Sequence, residues 1–213
     1  MQHALALHTP SPSRRVPYPA HLVAHAALRD GTRVTVRPIR RSDLALERAF
    51  VFGLTPQTRY QRLLSGRKLL PGELRRLTDI DYAHELALVA IASVEGREQM
   101  LGVARYVRDD AHEAGSAEFA LVVGDRSQGQ GLGETLLRHL MRAAAEDGLA
   151  VLTGITLSDN VRMIGLGRKL GFRAHRQAGN ASVTELRCAL DDARAEALHA
   201  TPAFDDALLW GAG

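Results

Sequence analysis

The chain has 213 residues, of which 46% are hydrophobic and 24% charged, and this composition predicts one globular domain with a full hydrophobic core. The net charge is +3 and the basic residues are scattered, so we expect no nucleic-acid interface. A single cysteine, Cys188, excludes an internal disulfide and a CxxC metal site. No apolar run reaches the roughly 18 residues of a membrane span, and no signal-peptide pattern opens the sequence. These features predict a cytoplasmic protein without membrane contact.

The predicted elements follow one another in a clear order. Residues 1–30 are rich in proline and histidine and predict a flexible segment, with one short helix over residues 21–28. A half-buried strand begins at Arg33, and short helices follow, with helix starts marked by Ser42, Pro56 and Pro71. Further strands are predicted over residues 85–94, 100–107, 117–123, 150–157, 172–176 and 183–190, and helices over residues 132–148 and 161–170.

This order reads β, αα, βββ, α, β, α, ββ, which predicts a mixed α/β or α+β domain built around one central sheet. We place the domain at residues 31–190 and expect residues 191–213 to form a C-terminal tail.

A glycine-rich turn follows the strand AEFALVV. Gly129, Gly131 and Gly133 alternate and lead directly into a helix, where backbone N–H groups and the helix dipole can hold a phosphate. The spacing does not match G-x-G-x-x-G, because Glu134 occupies the last position, and no lysine follows as in a P-loop. A pyrophosphate held by consecutive N–H groups fits the spacing, and a structural turn without a ligand stays open at this point.

Two motifs then resemble a known family. QGQGLG, from Gln128, resembles the Q/R-x-x-G-x-G/A signature of the GNAT superfamily of acyl-CoA-dependent N-acyltransferases, and NVRMIGLGRKLGF, from Asn160, resembles the segment that closes the cofactor site of that family. RVTVRPIRRSD, LTPQTRYQRLL, LLPGELRRLTDIDYAHELALVA and AEFALVV are similar to the acetyltransferase domain of Pat-type bacterial protein lysine acetyltransferases. The resemblance implies a GNAT fold, in which a mixed central sheet with splayed strands is flanked by helices.

The resemblance also implies a site for acetyl-CoA as cosubstrate, without a metal. Backbone groups of the strand before the turn would pair with the pantetheine arm, N–H groups of the turn would hold the pyrophosphate, and Asn160 would contact the arm or cap its helix. The implied cofactor-binding residues are Leu121, Val122, Val123, Gln128, Gly129, Gln130, Gly131, Leu132, Gly133, Glu134 and Asn160.

Glu118 is the candidate general base, because it lies within this apolar strand and matches a catalytic glutamate of related protein acetyltransferases. Burial is expected to raise the pKa of its carboxyl, which suits a proton acceptor. The alternative is a solvent-facing residue on an edge strand. Gly167 stands where many members of the family carry a tyrosine that protonates the leaving thiolate. His84 and Glu85 are expected to be surface polar residues, with a role in substrate binding as the alternative.

These features predict an acetyl-CoA-dependent N-acetyltransferase that acts on protein lysine side chains by direct transfer. Acetylation of a small amine is the alternative within the enzymes, and a non-catalytic acyl-CoA-binding sensor is the alternative outside them. The sequence does not choose between a monomer and a dimer.

Overall fold

The computed structural model describes residues 16–63, 71–109, 113–177 and 179–191. The predicted flexible segment up to residue 15 and the tail beyond residue 191 lie outside these ranges. Within them, eight strands form one sheet, in the order β1-β2-β3-β4-β5-β6-β8-β7. The strands are β1 Ala24–Ala27, β2 Arg33–Pro38, β3 Glu85–Val94, β4 Arg97–Arg108, β5 Ser116–Val123, β6 Val151–Leu157, β7 Arg173–Gln177 and β8 Asn180–Ala189.

Helices cover both faces of the sheet, and the predicted mixed α/β architecture is confirmed. The helices are α1 Leu44–Gly53, α2 Pro56–Leu63, α3 Pro71–Thr78, α4 Leu132–Glu146 and α5 Val161–Lys169. Neighbouring strands are antiparallel except for β5 and β6, which run parallel. A parallel neighbour requires a crossover connection, and α4 supplies it.

The two faces of the sheet bury separate cores. On one face, the apolar stripe of α4 packs against the sheet, and Leu136 and Leu140 are completely buried there. On the other face, α1 and α3 cover β3 and β4. Because side chains alternate along a strand, Phe119 and Leu121 of β5 point toward α4, whereas Val122 points toward α1 and α3.

The predicted helix over residues 21–28 is wrong. A 3₁₀ turn spans Ala20–Leu22, and β1 then pairs antiparallel with β2 along the edge of the sheet. Alanine favours a helix locally, but this short stretch gains strand hydrogen bonds from β2 and buries Leu22 and Leu28 in the α4-side core. The predicted boundary after residue 30 falls inside the turn that joins β1 to β2.

The parallel pairing of β5 with β6 is short. It comprises three register positions, from Ser116 opposite Val151 to Glu118 opposite Thr153. Beyond them β5 continues along β4 alone and β6 continues along β8 alone, so the two strands separate. Phe119 lies at the start of this opening against Gly154, and its ring centre is 5.0 Å from that of Phe172.

We expect Gly154→Ala to destabilise the fold, because the added Cβ would lie 2.6 Å from Cε1 and 2.9 Å from the carbonyl oxygen of Phe119. Overpacking of this kind costs about 1–3 kcal/mol, and thermal unfolding would show it as a lower Tm. The matched control is Gly165→Ala in the exposed part of α5, where a Cβ meets nothing within 4 Å. That change should raise stability by about 0.5–1 kcal/mol. An unchanged Tm for Gly154→Ala would contradict the tight contact.

Candidate active site

The opening between β5 and β6 contains a cavity of about 920 Å³. Its wall begins at Phe119, the residue after the last paired position, and continues along β5 to Val123. Side chains from both faces of the sheet line it: Leu121 from the α4 side, and Ala120 and Val122 from the opposite side. The cavity therefore passes through the sheet, and one edge of β5 is free of a neighbouring strand along it.

The glycine turn closes one end of this cavity. Gly129 and Gly131 adopt φ values of 77° and 91°, the left-handed conformation that only glycine adopts readily. Gly131 is the N-cap of α4, and the first intrahelical bond runs from Thr135 N to Gly131 O at 3.1 Å. The N–H groups of the three residues before Thr135 have no acceptor inside the helix. Together with the helix dipole they form a region suited to an anion.

Gln128 connects this turn to two neighbouring elements. Its Nε2 donates to the Val123 carbonyl oxygen at 3.2 Å, and its Oε1 accepts from an Arg162 guanidinium nitrogen at 3.1 Å. The amide thus holds the turn between the end of β5 and the start of α5. A contact between Gln128 and a phosphate stays a prediction.

Arg29 also contacts the turn, although sequence analysis assigned it to the flexible segment. Its backbone N donates to Gln130 O at 3.1 Å, and its guanidinium donates to Gly129 O at 3.4 Å. No local signal could have identified it, because its position depends on the pairing of β1 with β2. Neither Arg29 nor Arg162 forms an ion pair with a carboxylate of the described residues, so two uncompensated positive charges flank the turn.

Two carboxylates in the cavity wall, Glu134 and Asp125, are in contrast engaged by other groups. Glu134 accepts from Lys169 Nζ at 2.6 Å and from Arg138 at 3.1 Å. Burial would raise the pKa of Glu134, but these hydrogen bonds outweigh burial and hold the pKa below its usual value. Lys169 and Arg138 thereby neutralise the negative charge nearest the turn.

Asp125 joins the loop after β5 to the start of α2. It accepts from Thr55 N at 3.0 Å, from Thr55 Oγ1 at 2.9 Å and from Thr58 Oγ1 at 2.6 Å. Burial would raise the pKa of Asp125, and the hydrogen bonds from the two threonines lower it further than burial raises it. Thr55, Gln57 and Thr58 line the cavity on the side opposite to α4.

Asn160 caps α5 at another part of the cavity wall. Its Oδ1 accepts from Met163 N at 3.2 Å, and its Nδ2 donates to Thr156 Oγ1 at 3.1 Å. The capping role is thus present, and a contact with a pantetheine arm stays a prediction. In α5, a Cβ on Gly167 would lie 3.2 Å from Leu186 Cδ1. Leu186 therefore fills the space beside the position where the family resemblance would put a tyrosine.

Glu118 lies at the point where β5 and β6 separate. It is half-buried, opposite Val107 on β4 and Thr153 on β6. Glu118 comes four residues before Val122 on a regular strand, and side chains alternate between the two faces of a sheet. Its side chain therefore lies on the same face as that of Val122, which α1 and α3 cover. This position is one residue from the start of the cavity wall, at the end remote from the glycine turn.

A second carboxylate lies in the same row across the sheet. Glu85 is opposite Val107 on the other side of β4, and only 4% of its surface is exposed, so the expectation of a surface residue is wrong. Burial raises the pKa of Glu85 to about 7, although the nearby Arg105 opposes this shift. Sequence reasoning missed this burial because Glu85 is the first residue of its strand, next to a polar loop.

Neighbouring His84 is tied to a buried acid. Asp81, which is completely buried, accepts from the His84 ring at 2.8 Å and from the backbone N–H groups of Ala83 and His84 at 2.9 Å. This cluster fixes the loop that leads into β3.

Two features are absent from the described residues. Across residues 16–63, 71–109, 113–177 and 179–191, no group of three or more histidine, cysteine, aspartate or glutamate side chains could hold a metal ion. In the same ranges, no helix is both long and apolar enough to cross a membrane.

Comparison with known proteins identifies the family. The model of the acetyltransferase (GNAT) family matches residues 57–172. An acetyltransferase from Pseudomonas aeruginosa is 34% identical over 165 residues, which cover 77% of this chain and 88% of that protein. The acetyltransferase Pat of Mycolicibacterium smegmatis is 31% identical over 144 residues; the match covers 68% of this chain but only 42% of that longer protein.

The fold agrees with these matches. The crystal structure of the GNAT domain of S. lividans PAT superposes with a TM-score of 0.73 and 28% identity, covering 81% of this chain and 99% of that domain. The family model covers more than half of the sequence, and the Pseudomonas relative is matched over most of its length. This chain therefore belongs to the GNAT family of acetyltransferases and is an acyltransferase enzyme.

Proposed function

We propose that this enzyme transfers an acetyl group from acetyl-CoA to lysine side chains of proteins, with Glu118 as general base. The observation that carries the proposal is the opening between β5 and β6, which has the glycine turn at one end and Glu118 at the other. The five residue steps from Glu118 to Val123 correspond to about 17 Å along an extended strand. Such a distance suits a ligand with a long flexible arm between its phosphates and its reacting group.

The residues of the cavity fit such a ligand. The backbone groups of Val122 face Val103 on β4, so those of Leu121 and Val123 face the free edge of β5 and can bind the amides of a pantetheine arm in the manner of an added strand. The N–H groups from Gly129 to Glu134 suit the pyrophosphate. The uncompensated charges of Arg29 and Arg162 complement an anion.

The chemistry requires deprotonation of the acceptor amine, because a lysine ammonium has a pKa of about 10.4 and is not nucleophilic. Glu118 accepts this proton in the proposed mechanism. Glu118 lies one residue before the cavity wall begins, which supports a location beside the end of the arm, where the thioester would lie. The amine nitrogen then attacks the thioester carbon, and a backbone N–H on the free edge of β5 close to Glu118 would donate to the developing oxyanion.

The leaving thiolate takes its proton from water in this mechanism, since Gly167 offers no acid. A thiol has a pKa of about 8.5, so the thiolate leaves readily without a dedicated donor.

Protein lysines are proposed as acceptors because the sequence is similar to Pat-type domains over several separate segments, from RVTVRPIRRSD to AEFALVV. Incubation with labelled acetyl-CoA and a cell lysate tests this class of acceptor. Labelled protein lysines would support the proposal, whereas label in small amines alone would replace it with the small-amine alternative. Tight binding of acetyl-CoA without turnover would indicate a sensor.

Glu118→Gln is the direct test of the base. We expect turnover to fall by roughly two orders of magnitude, because the amide cannot accept the proton, while calorimetry shows unchanged acetyl-CoA affinity. Glu85→Gln is the matched control: its carboxylate is buried, two strands further from the opening, and should be dispensable for turnover. An unchanged rate and pH profile for Glu118→Gln would exclude it as the base. Loss of turnover in Glu85→Gln, with normal turnover in Glu118→Gln, would assign the role of general base to Glu85 instead.

The same control variant predicts a change in the pH dependence of stability. The folded-state pKa of Glu85, about 7, is higher than the 4.5 of an unperturbed glutamate. Folding therefore favours the protonated carboxyl, and this contribution is lost as the pH rises toward and through 7. Glutamine has no charge to bury. We expect the unfolding free energy of Glu85→Gln, relative to the wild type, to increase by about 2 kcal/mol between about pH 5 and about pH 8.5. A constant difference in urea titrations would contradict the buried titration.

Arg29→Ala tests the arginine that sequence analysis missed. Removing one charged hydrogen-bond donor to a phosphate typically costs 1.5–3 kcal/mol, so we expect the Kd for acetyl-CoA to rise about tenfold, measured by calorimetry. Arg33→Ala is the control, because Arg33 is an exposed arginine at the start of β2, outside the cavity wall. Equal affinities for the two variants would show that Arg29 only supports the turn.

A further inference from the structure

The layer formed by the 3₁₀ turn at Arg41–Asp43 and by α1, α2 and α3 exposes charges of one sign. Two of its carboxylates are buried: Asp43 is 4% exposed and Glu47 1% exposed. Asp79, next to α3, and Glu73, within α3, are half-buried, and Asp79 pairs with Arg41 at 3.2 Å. Among the described side chains of residues 40–80, the exposed charged ones are all arginines: Arg40, Arg41, Arg48, Arg75 and Arg76.

Three of these arginines have no ion-pair partner among the described residues. The guanidinium groups of Arg48, Arg75 and Arg76 make no hydrogen bond or ion pair with any other described residue. Arg48 lies over the ring of Phe52, 5.8 Å from its centre, and 53% of Phe52 is exposed. A large apolar side chain thus lies among free positive charges, which is a composition typical of protein-binding surfaces.

Some arginines elsewhere on the described surface are paired with carboxylates. Along α4, Arg138 pairs with Glu134 at 3.1 Å and Arg142 pairs with Glu146 at 3.8 Å. On β8, Arg187 pairs with Glu113 at 2.7 Å. These three arginines are matched by carboxylates, whereas Arg48, Arg75 and Arg76 of the α1–α3 layer are not matched by any described one. Within the α1–α3 layer, the exposed positive charge is therefore not offset by any exposed carboxylate among the described side chains.

This layer borders the acceptor side of the proposed site. It covers the sheet face that carries Glu118, opposite the face with α4. The exposed face of α1, with Arg48 and Phe52, runs toward Thr55, and Thr55 and Gln57 line the cavity. The layer therefore lies on the same side of the sheet as Glu118 and beside the cavity.

We propose that the α1–α3 layer binds acidic segments of the substrate protein that flank the acceptor lysine. This inference rests on the proposed function and narrows its substrate class to lysines in acidic surroundings. Each exposed ion pair contributes only about 0.2–1 kcal/mol, but several act together and also raise the rate of encounter. Positive charge beside the entrance disfavours a lysine surrounded by other cations.

The test uses three synthetic peptides of equal length, each with a blocked N-terminus and one central lysine, flanked by glutamates, by glutamines or by arginines. CoA release with acetyl-CoA as donor gives kcat/KM. We expect the glutamate peptide to exceed the glutamine peptide by about fivefold and the arginine peptide to be the poorest. The advantage should shrink when the salt concentration rises from about 50 to about 500 mM.

The charge-reversal variant Arg75→Glu/Arg76→Glu should remove or invert this preference without changing the KM for acetyl-CoA. The matched control is Arg173→Glu/Arg176→Glu, which reverses two exposed arginines of β7, the strand at the edge of the sheet beyond β8. It should keep the preference of the wild type.

Two results would overturn the inference, and they differ in what they say about the function. Acetylation of all three peptides at equal kcat/KM would refute the acidic docking surface and leave the lysine acetyltransferase in place. Absence of CoA release with every peptide, and of label in lysate proteins, would refute protein acetylation and the docking surface with it. Equal loss of the preference for the glutamate peptide in Arg75→Glu/Arg76→Glu and in Arg173→Glu/Arg176→Glu would also refute the acidic docking surface. The net charge of the enzyme alone would then explain the preference.

Discussion

The short parallel pairing of β5 with β6 is the constraint on which the site depends. After three register positions the strands diverge, and backbone groups of β5 that would otherwise pair with β6 face a cavity. Unpaired backbone groups are costly when buried, so the opening has to admit water or a ligand with amides of its own. Phe119 and Gly154 fix where it begins, since their close contact leaves no room for a side chain on β6. The position of this Phe119–Gly154 contact then determines where the two ends of an extended ligand in the cavity can lie.

Electrostatics distinguishes these two ends. At the glycine turn, Glu134 is neutralised by Lys169 and Arg138, whereas Arg29 and Arg162 keep their charges. The turn therefore presents positive potential before any ligand arrives, and no rearrangement of charges is required on binding. At the other end Glu118 is half-buried on the face of the α1–α3 layer. The proposed division into an anion-binding end and a proton-accepting end follows from this arrangement.

The parts of the molecule with strong local signals were predictable from the sequence. The apolar stripe of α4, the continuous apolar run of β3 and the glycine turn each carry their own pattern, and the structure confirms these elements. β1 was not predictable, because four residues with weak preferences take their conformation from the edge of β2. Arg29 was missed for the same reason: its role depends on a hairpin that brings it to a turn 100 residues later in the sequence.

Glu85 and Glu118 show why residue type alone does not assign a role. Both are glutamates on the same face of the sheet, in one row and separated by Val107. Glu85 is enclosed under the helical layer, where burial favours its neutral form. A general base must reach the substrate and return its proton to solvent, and an enclosed carboxyl does neither easily. Glu118 adjoins an opening through which it can reach the substrate and return its proton to solvent. The proposed role of Glu118 as general base therefore rests on its surroundings more than on its residue type. The divergence of β5 and β6 gives substrate and solvent access to Glu118, whereas the described residues leave no such opening beside the enclosed Glu85.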